Sequence, residues 1–553
     1  MAIITDDLRR LSAQQLIDAI ADATGTYYVG IGKSDPWLDA DDSDEDAATF
    51  EGLPAPVPSS LYERETLENL SSLSKVLPAD AYRVIPRYNL APGAKYKVYD
   101  PNDASCFEQT GDIYPCYAMN TSQELFLCLR NGSVGTAATT IAMSAQNVTN
   151  LNLVDAGNGW GDSDSDVDSG PIEQMGIFRP NGVDGTGDYV WAYLGKVATS
   201  SGFYTSSYIT IPARSSVFSG DANTDSDTPY ETSGGLLYGF KIDSGGSGYS
   251  APILIVTARL ADGTSITLSS AVAADAITVA ETGSVITQVD YDIASIIGRS
   301  VGSAYVPRVQ DIVWISCRIE TVGAEVGKGA VITPLFAPIE GFGGDNLSLL
   351  PSYYVGIKAE FPNTLGDTDG WVGSASLPYT FRQVSLIANP TLTPEQGAGG
   401  DTDPQYADCL RSIQLNSGSS PAVSFGDIIW QSIDGASATS AEALENGDPV
   451  AFVDEYDSTN KKIWYHQNNA DNVTTPRYNA AEFVAGTVYV NTTTNSAIID
   501  SLVGTEYNPY ITSSNASGFG SYKQNGQLLF VNNSGAIQRA VDQTEQVRII
   551  IQF

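Results

Sequence analysis

The sequence lacks most of the side chains on which enzymatic chemistry at neutral pH depends. Only one of its 553 residues is a histidine, His466, which lies within Trp464-Tyr465-His466-Gln467. Ser-His-Asp catalysis, histidine general bases and His-rich zinc sites all need imidazole, so we expect none of them elsewhere in the chain. We interpret His466 itself as a structural or surface residue.

Cysteine is also scarce. The five cysteines form no CxxC pair, and they are Cys106, Cys116, Cys128, Cys317 and Cys409. An odd and sparse set argues against both a disulfide framework and a zinc ribbon. We therefore predict reduced, mostly buried thiols.

Basic side chains are few. Lys and Arg number 28 against 65 Asp and Glu, which gives a formal net charge of -37. A field of that sign repels phosphate backbones and anionic membrane surfaces. No apolar run approaches the ~20 residues that span a bilayer, and no signal-peptide pattern opens the sequence. We expect neither nucleic acid nor membrane among the partners.

Two short helices are predicted near the start of the chain. Thr5-Asp6-Asp7 precedes apolar residues at helical spacing, which indicates a helix of about 18 residues that ends before Thr24-Gly25. Ser60-Leu61-Tyr62-Glu63 resembles a capping box, and the leucines that follow predict a second helix that continues toward Pro78.

The rest of the chain has the composition of a β protein. From about residue 95 onward, short apolar runs alternate with turn clusters, and the chain contains 52 Gly and 29 Tyr. Strands are predicted at 124–130, 188–194 and 381–387, and at the end of the chain with Val547, Ile549, Ile551 and Phe553 on one face. At ~150 residues per domain, we expect a mainly β, multi-domain chain of β-sandwich or barrel modules with two short N-terminal helices.

A weak internal repeat lies in the middle of the sequence. Ser244–Pro252 and Gly298–Pro307 each place a Gly/Ser turn, a tyrosine and a proline before a strand. The two copies indicate a small β module of two units, because a solenoid usually needs three or more.

One acidic segment imitates a calcium loop. Acids stand at positions 1, 3, 5, 7 and 12 of the segment 162–173, and they are Asp162, Asp164, Asp166, Asp168 and Glu173. Val167 replaces the turn glycine and Pro171 interrupts the loop, so we favour a solvated acidic loop and predict no metal. Similar acidic runs at 39–46 and 221–227 show no fixed period, which a calcium-dependent adhesin would need.

Other cofactor and catalytic motifs are missing. The sequence contains no phosphate-binding loop, nucleophile elbow, HExxH or dinucleotide fingerprint. A carboxylate pair for glycoside hydrolysis stays open, because sequence does not show which acids face each other. We predict no catalytic residue and no cofactor.

Five segments occur in the order found in a known family. They are Tyr28–Trp37, Val84–Arg87, Gly187–Leu194, Phe381–Pro390 and Ala540–Ile551. Together they resemble the baseplate wedge subunit family of T-even-like contractile-tailed bacteriophages, over roughly residues 20–215, 350–410 and 528–553. The intervening segments are interpreted as two insertions.

The resemblance implies a non-enzymatic subunit that forms a homodimer and contacts other wedge proteins in the tail baseplate of the virion, after assembly in the host cytoplasm. The four domains that we predict are a family core (1–90, 350–410 and 528–553), a second β domain (91–215), an inserted β module with two GSGY-like units (216–349) and a second inserted β module (411–527). The family-motif residues interpreted as structural anchors are Pro36, Trp37, Pro86, Arg87, Trp191, Tyr193, Arg382, Gln383, Asp542, Gln543 and Glu545.

A second interpretation is a virion-associated β protein that binds carbohydrate or degrades polysaccharide. A carboxylate pair in an aromatic-lined groove would favour that interpretation, whereas broad apolar interfaces would favour the wedge subunit.

Overall fold

The computed structural model describes residues 5–22, 25–38, 52–101, 114–131, 148, 177–178, 189–199, 203–212, 234–271, 277–291, 309–321, 327–339, 341–342, 344–350, 352–361, 380–390, 406–467, 481–500, 526–539 and 543–553. Over these residues the protein is mainly β, with several antiparallel sheets and few helices, which confirms the predicted fold class.

The helices are α1 (Asp6–Ala21), α2 (Ser60–Glu68), α3 (Asn346–Leu349) and α4 (Ser440–Asn446), with short 3-10 helices at Pro78–Asp80 and Val309–Asp311. The strands are β1 (Tyr27–Gly32), β2 (Leu70–Lys75), β3 (Ala81–Pro86), β4 (Tyr117–Met119), β5 (Glu124–Asn131), β6 (Ile177–Phe178), β7 (Tyr189–Lys196), β8 (Tyr208–Thr210), β9 (Leu237–Ser247), β10 (Pro252–Leu260), β11 (Ser265–Ser269), β12 (Ile277–Thr282), β13 (Val285–Tyr291), β14 (Ile312–Thr321), β15 (Lys328–Phe336), β16 (Tyr354–Phe361), β17 (Thr380–Ala388), β18 (Tyr406–Asp408), β19 (Arg411–Gln414), β20 (Ile428–Trp430), β21 (Val450–Asp457), β22 (Lys462–His466), β23 (Gly486–Val490), β24 (Thr492–Ile499), β25 (Gln527–Gln538) and β26 (Glu545–Gln552).

The chain divides into two compact units. The first comprises Met1–Ala13, Tyr82–Tyr354 and Gln552–Phe553, and the second comprises Gln14–Ala81 and Val355–Ile551. The four domains expected from the sequence remain a prediction.

The first unit contains a sheet of order β4-β5-β7-β6, a sheet of order β11-β10-β14, and the pairs β15-β9, β12-β13 and β3-β8. One hydrophobic cluster runs through these strands, and its members include Leu127, Leu194, Leu237, Leu254 and Leu335. Residues of the predicted segments 91–215 and 216–349 therefore pack in the same core.

The second unit contains a five-stranded sheet, β18-β2-β1-β17-β25, and a six-stranded sheet, β19-β22-β21-β20-β23-β24. Each sheet has its own apolar cluster. Tyr28, Leu73 and Ile387 belong to the first cluster, whereas Ile429 and Val453 belong to the second. The predicted segment 411–527 thus supplies a sheet with a separate core.

The first helix forms as predicted, but only part of its apolar side chains is buried. Ala13 and Ile20 are buried, whereas Leu8 and Leu11 are 50% and 53% exposed. The first two turns of α1 therefore present apolar side chains outside the core.

The second helix is shorter than predicted. Ser59 is its N-cap and accepts a hydrogen bond from the Tyr62 amide, and the helix ends at Glu68. Leu70 and Leu73, which suggested helical spacing, lie on β2 instead. The register against β1 shifts there, so that Ser71 is an extra residue in the ladder. This bulge lets leucines three residues apart occupy the same face of a strand.

The predicted strands are confirmed. The segments 124–130, 188–194 and 381–387 correspond to β5, β7 and β17, and the closing segment forms β26. On β26, Val547 and Ile549 are buried and Ile551 is half-buried, and Phe553, which follows the strand, is also half-buried. β10 begins at Pro252 as predicted, and its antiparallel neighbour β14 follows the second repeat copy, which lies outside the described residues.

Cysteine chemistry differs from the prediction at one position. Cys116 is buried and disulfide-bonded, whereas Cys128, Cys317 and Cys409 are free thiols. The expectation of reduced thiols is therefore wrong for Cys116, because sequence spacing does not show which cysteines approach each other in space. Burial raises the pKa of the Cys317 thiol to about 11.

Candidate functional site

A buried cluster of charged side chains lies in the second unit, where β1 ends. Gly32 is the last residue of β1, and a Cβ at this position would collide with the Asn69 carbonyl group at the end of α2. Glycine therefore allows the close approach, and the Lys33 amide donates to the Asn69 carbonyl at 2.9 Å. This turn directs Lys33, Ser34 and Asp35 into the interior, where each side chain is at most 1% exposed.

His466 lies at the centre of the cluster. It is the last residue of β22 and is 1% exposed. Its Nδ1 lies 2.9 Å from Asp454 Oδ2, and its Nε2 lies 3.1 Å from Asp35 Oδ1. Asp454 belongs to β21, which pairs with β22. The imidazole is thus held between carboxylates that come from distant parts of the chain.

This geometry favours the doubly protonated form of His466. Burial alone would lower the pKa of the imidazole, but the neighbouring Asp454 and Asp35 carboxylates outweigh that cost and raise the pKa to about 9. Each ring N–H can then donate to one carboxylate. At neutral pH, His466 is an imidazolium ion.

Lys33 completes the charge balance. Its ammonium group lies 3.2 Å from Asp35 Oδ2 and 4.7 Å from the centre of the Trp37 ring. Burial would raise the pKa of Asp35, but the Lys33 charge and the His466 hydrogen bond hold it well below its usual range. The cluster therefore contains two cations, Lys33 and His466, and two carboxylates, Asp35 and Asp454. Its net charge is zero, as burial requires.

Neighbouring strands fix the segment that carries the cluster. Arg382 on β17 donates to the Ser34 carbonyl oxygen, and its own carbonyl accepts from the Ser534 hydroxyl at 3.2 Å. The Trp37 indole N–H donates to the Ser534 carbonyl at 2.8 Å. Gln383 donates to the Asn533 side chain at 3.0 Å. Strands β17 and β25 thus hold the residues that follow β1.

Ser34, His466 and Asp454 have the composition of a catalytic triad but not its arrangement. The Ser34 hydroxyl lies 3.2 Å from His466 Nδ1 and donates to Asp454 Oδ1. A serine nucleophile needs a neutral imidazole that can accept its proton, whereas here both ring nitrogens face carboxylates. With all three side chains at most 1% exposed, a substrate has no access. The cluster is an ion network that joins β1 to the β21-β22 pair.

The positions expected to be structural anchors are distributed over both units. Among them Trp37, Trp191, Tyr193, Arg382 and Gln383 are buried. Pro36, Pro86, Arg87 and Glu545 are half-buried, and Gln543 is exposed. Asp542 lies outside the described residues, and the anchor role itself remains a prediction.

Trp191 and Arg382 illustrate two kinds of environment at these positions. The Trp191 ring stacks on Tyr189 with centroids 5.6 Å apart, inside an aromatic cluster of the first unit. In the second unit, the Arg382 guanidinium instead donates a hydrogen bond to the backbone carbonyl oxygen of Ser34.

The acidic positions considered for calcium, Asp162, Asp164, Asp166, Asp168 and Glu173, lie outside the described residues. Within the part of the chain that the structure describes, no group of three or more His, Cys, Asp or Glu side chains is arranged to hold a metal ion. The same part contains no helix long and apolar enough to cross a membrane.

Sequence reasoning interpreted His466 as a structural or surface residue but missed its partners. A signal was present on β22, where the residues around His466 are apolar and buried. A titratable side chain in such a strand needs a charged or hydrogen-bonding partner. Comparison with models of known protein families and with curated protein sequences gives no match to this chain.

Proposed function

We propose that the protein is a non-enzymatic structural subunit of a contractile phage tail baseplate wedge, which acts through protein-protein contacts during tail assembly. In this proposal the chain forms a homodimer, contacts other wedge proteins and resides in the virion after assembly in the host cytoplasm. Neither nucleic acid nor membrane is a partner.

One observation carries the proposal. Two of the family-like segments, Tyr28–Trp37 and Phe381–Pro390, are far apart in sequence but adjacent in the fold. β1 pairs with β17 in continuous antiparallel register from Tyr27↔Ala388 to Gly32↔Gln383. The resemblance therefore falls on residues that form one structural element, which is what a shared architecture requires.

The ion network supports the non-enzymatic part of the proposal. Among the described residues, the Ser34, His466 and Asp454 group is the arrangement with the composition of a hydrolase site, and it is closed to substrate. Its two carboxylates do not form a pair for polysaccharide degradation, because Asp35 and Asp454 face His466 in the interior and do not line an aromatic groove.

Two measurements test the proposal. Light scattering of the purified protein should give twice the mass of one chain, unchanged by a chelator. Cryo-electron microscopy of intact particles should locate the chain in the baseplate. A monomer in solution, together with absence from the baseplate, would contradict the proposal.

A variant tests the non-enzymatic part separately. Ser34→Ala removes the hydroxyl that a nucleophile would need, and it should support tail assembly and infection at the wild-type level. Exposed Ser420→Ala is the matched control for loss of a serine hydroxyl. A loss of infectivity for Ser34→Ala alone, with unchanged melting and incorporation, would indicate a chemical role.

A further inference from the structure

The outer face of the β11-β10-β14 sheet in the first unit carries an unusual tryptophan. The inner face is apolar, since Leu254 and Val256 on β10 are buried in the core. On the outer face Trp314 is 55% exposed. The other tryptophans among the described residues are buried, with at most 7% exposed. Among the described tryptophans, Trp314 is therefore the one whose ring is open to solvent and to a ligand.

Trp314 stands beside a cation in register. Arg259 on β10 is its direct cross-strand partner on β14, and on the other side Arg259 faces Ser265 on β11. Arg259 is exposed, and within the described part of the chain its guanidinium makes no hydrogen bond or ion pair.

Arg318 lies on the same face of β14 as Trp314, and unlike Arg259 it has a carboxylate partner. Its guanidinium is paired with Glu320 at 2.8 Å, so its charge is already matched. Asp262, in the turn after β10, accepts a hydrogen bond from the Thr264 amide at 2.8 Å and is engaged by its own turn. The donors of Arg259 therefore remain available.

A cavity of about 560 Å³ opens at this position, and it is lined by Arg259, Leu260, Ala261, Gly263, Ser265, Val313 and Trp314. Beyond it, the outer face continues with a row of hydroxyl side chains. Thr257 on β10 has Thr267 and Ser316 as its cross-strand neighbours. The surface thus combines one aromatic ring, one free guanidinium, the apolar side chains of Leu260 and Val313, and several short polar groups along the strands.

We propose that this surface, defined by Trp314, Arg259 and Ser265, binds a saccharide that carries a carboxylate. The C–H face of a pyranose ring is apolar and packs on an exposed indole, while its hydroxyl groups bond to short polar side chains. A guanidinium binds a carboxylate through two parallel hydrogen bonds. The row of hydroxyl side chains beside the cavity suits a sugar better than the apolar centre of a protein interface.

This site is carried by residues of the sheet itself and does not depend on the proposed wedge function. The protein's net charge of -37 does not prevent an anionic sugar from binding, because surface charges farther than ~8 Å are largely screened at physiological ionic strength. The charge decides instead which anions bind, since a polyanion is repelled more strongly than one carboxylate.

The test compares matched pairs of sugars on the full-length protein by calorimetry. Sialyllactose is paired with lactose, and galacturonic acid with its carboxyl-reduced form, galactose. At least one acidic member should bind about tenfold more tightly than its neutral partner, because a charge-assisted hydrogen bond contributes on the order of one tenfold step. Equal binding within both pairs, or no binding of either acidic sugar, would overturn the proposal.

Variants assign the binding to this surface. Trp314→Ala should abolish binding of the acidic sugar, and Trp314→Tyr should restore much of it, since tyrosine also offers a ring face. Arg259→Gln should remove the preference for the acidic member. Arg318→Gln is the matched control, because it removes the same charge from the same face and should leave binding unchanged.

All four substitutions are at exposed positions, and thermal melting should confirm that the variants fold. Wild-type affinity in folded Trp314→Ala, or a retained acidic preference in folded Arg259→Gln, would show that the sugar binds elsewhere and would overturn the assignment.

Discussion

The two segments interpreted as insertions, 216–349 and 411–527, are integrated into the protein by different physical means. The first shares an apolar core with residues 91–215, where Leu237 and Leu335 belong to the same cluster as Leu127. The second has its own apolar core, and it is joined to β1 by the ion network around His466. A shared core distributes stability over many side chains, whereas an ion network concentrates it in a few titratable ones.

The largest effect is expected from removal of the first segment. Replacement of 236–338 by a short Gly/Ser linker deletes the strands that contribute Leu237, Leu254 and Leu335 to the core. Each buried leucine contributes roughly 2–5 kcal/mol, so the product should be insoluble or unfolded by circular dichroism. A soluble product that melts cooperatively would show that the remaining chain packs its core without this segment.

The second largest effect is expected from a single substitution in the ion network. Asp454→Ala leaves His466 with one carboxylate partner in a buried position, and loss of one member of such a pair costs about 3–5 kcal/mol. Urea unfolding measures the difference. Asp434→Ala, an exposed acid in the same segment, is the control and should change the free energy of unfolding by less than about 1 kcal/mol. Equal effects for both would show that the network adds little.

A third prediction concerns pH, because His466 has a pKa raised from 6.5 to about 9. The folded state binds the proton more tightly than the unfolded state, so the stabilisation is complete below pH 6.5 and is lost as the pH rises through about 9. The wild-type free energy of unfolding should fall over that range. His466→Gln should be less stable at neutral pH and should lack most of this fall.

The smallest effect should come from Glu455, next to Asp454. Burial, followed by the Asp457 and Asp454 charges, raises its pKa from 4.5 to about 7. A carboxyl group with a raised pKa opposes folding once it is ionised, so Glu455→Gln should stabilise the protein at pH values above about 7 and have little effect below 4.5. Thermal melting at both extremes tests this. A destabilisation at high pH would indicate a favourable partner for the carboxylate.

The sequence predicts local structure here better than it predicts the ion network. Four strands are predicted by short apolar runs that lie between turn residues, and these strands are β5, β7, β17 and β26. β2 was missed because the bulge at Ser71 gives its leucines the spacing of a helix. A local pattern cannot reveal an irregularity that the neighbouring strand imposes.

The ion network could not be predicted because its members are far apart in the chain. Ser34 and Asp454 are separated by 420 residues, and Asp35 and His466 by 431. Asp35 is one of 65 acidic residues in the chain, and its neighbours in the sequence do not mark it as a partner of His466. What the sequence does offer is His466 on a buried strand, which indicates that partners exist without saying which residues they are.

The pairing of β1 with β17, and of β17 with β25, has a consequence for biosynthesis. β1 emerges early from the ribosome, but its partner begins at Thr380 and the next strand begins only at Gln527. At roughly 5–20 residues per second, β1 waits tens of seconds for β17 to be made, whereas the strands of the segment 82–354 are complete sooner. We expect the strands of the segment 82–354 to fold before β17 and β25 are made, which makes the waiting β1 strand a part of the nascent chain that needs protection by chaperones.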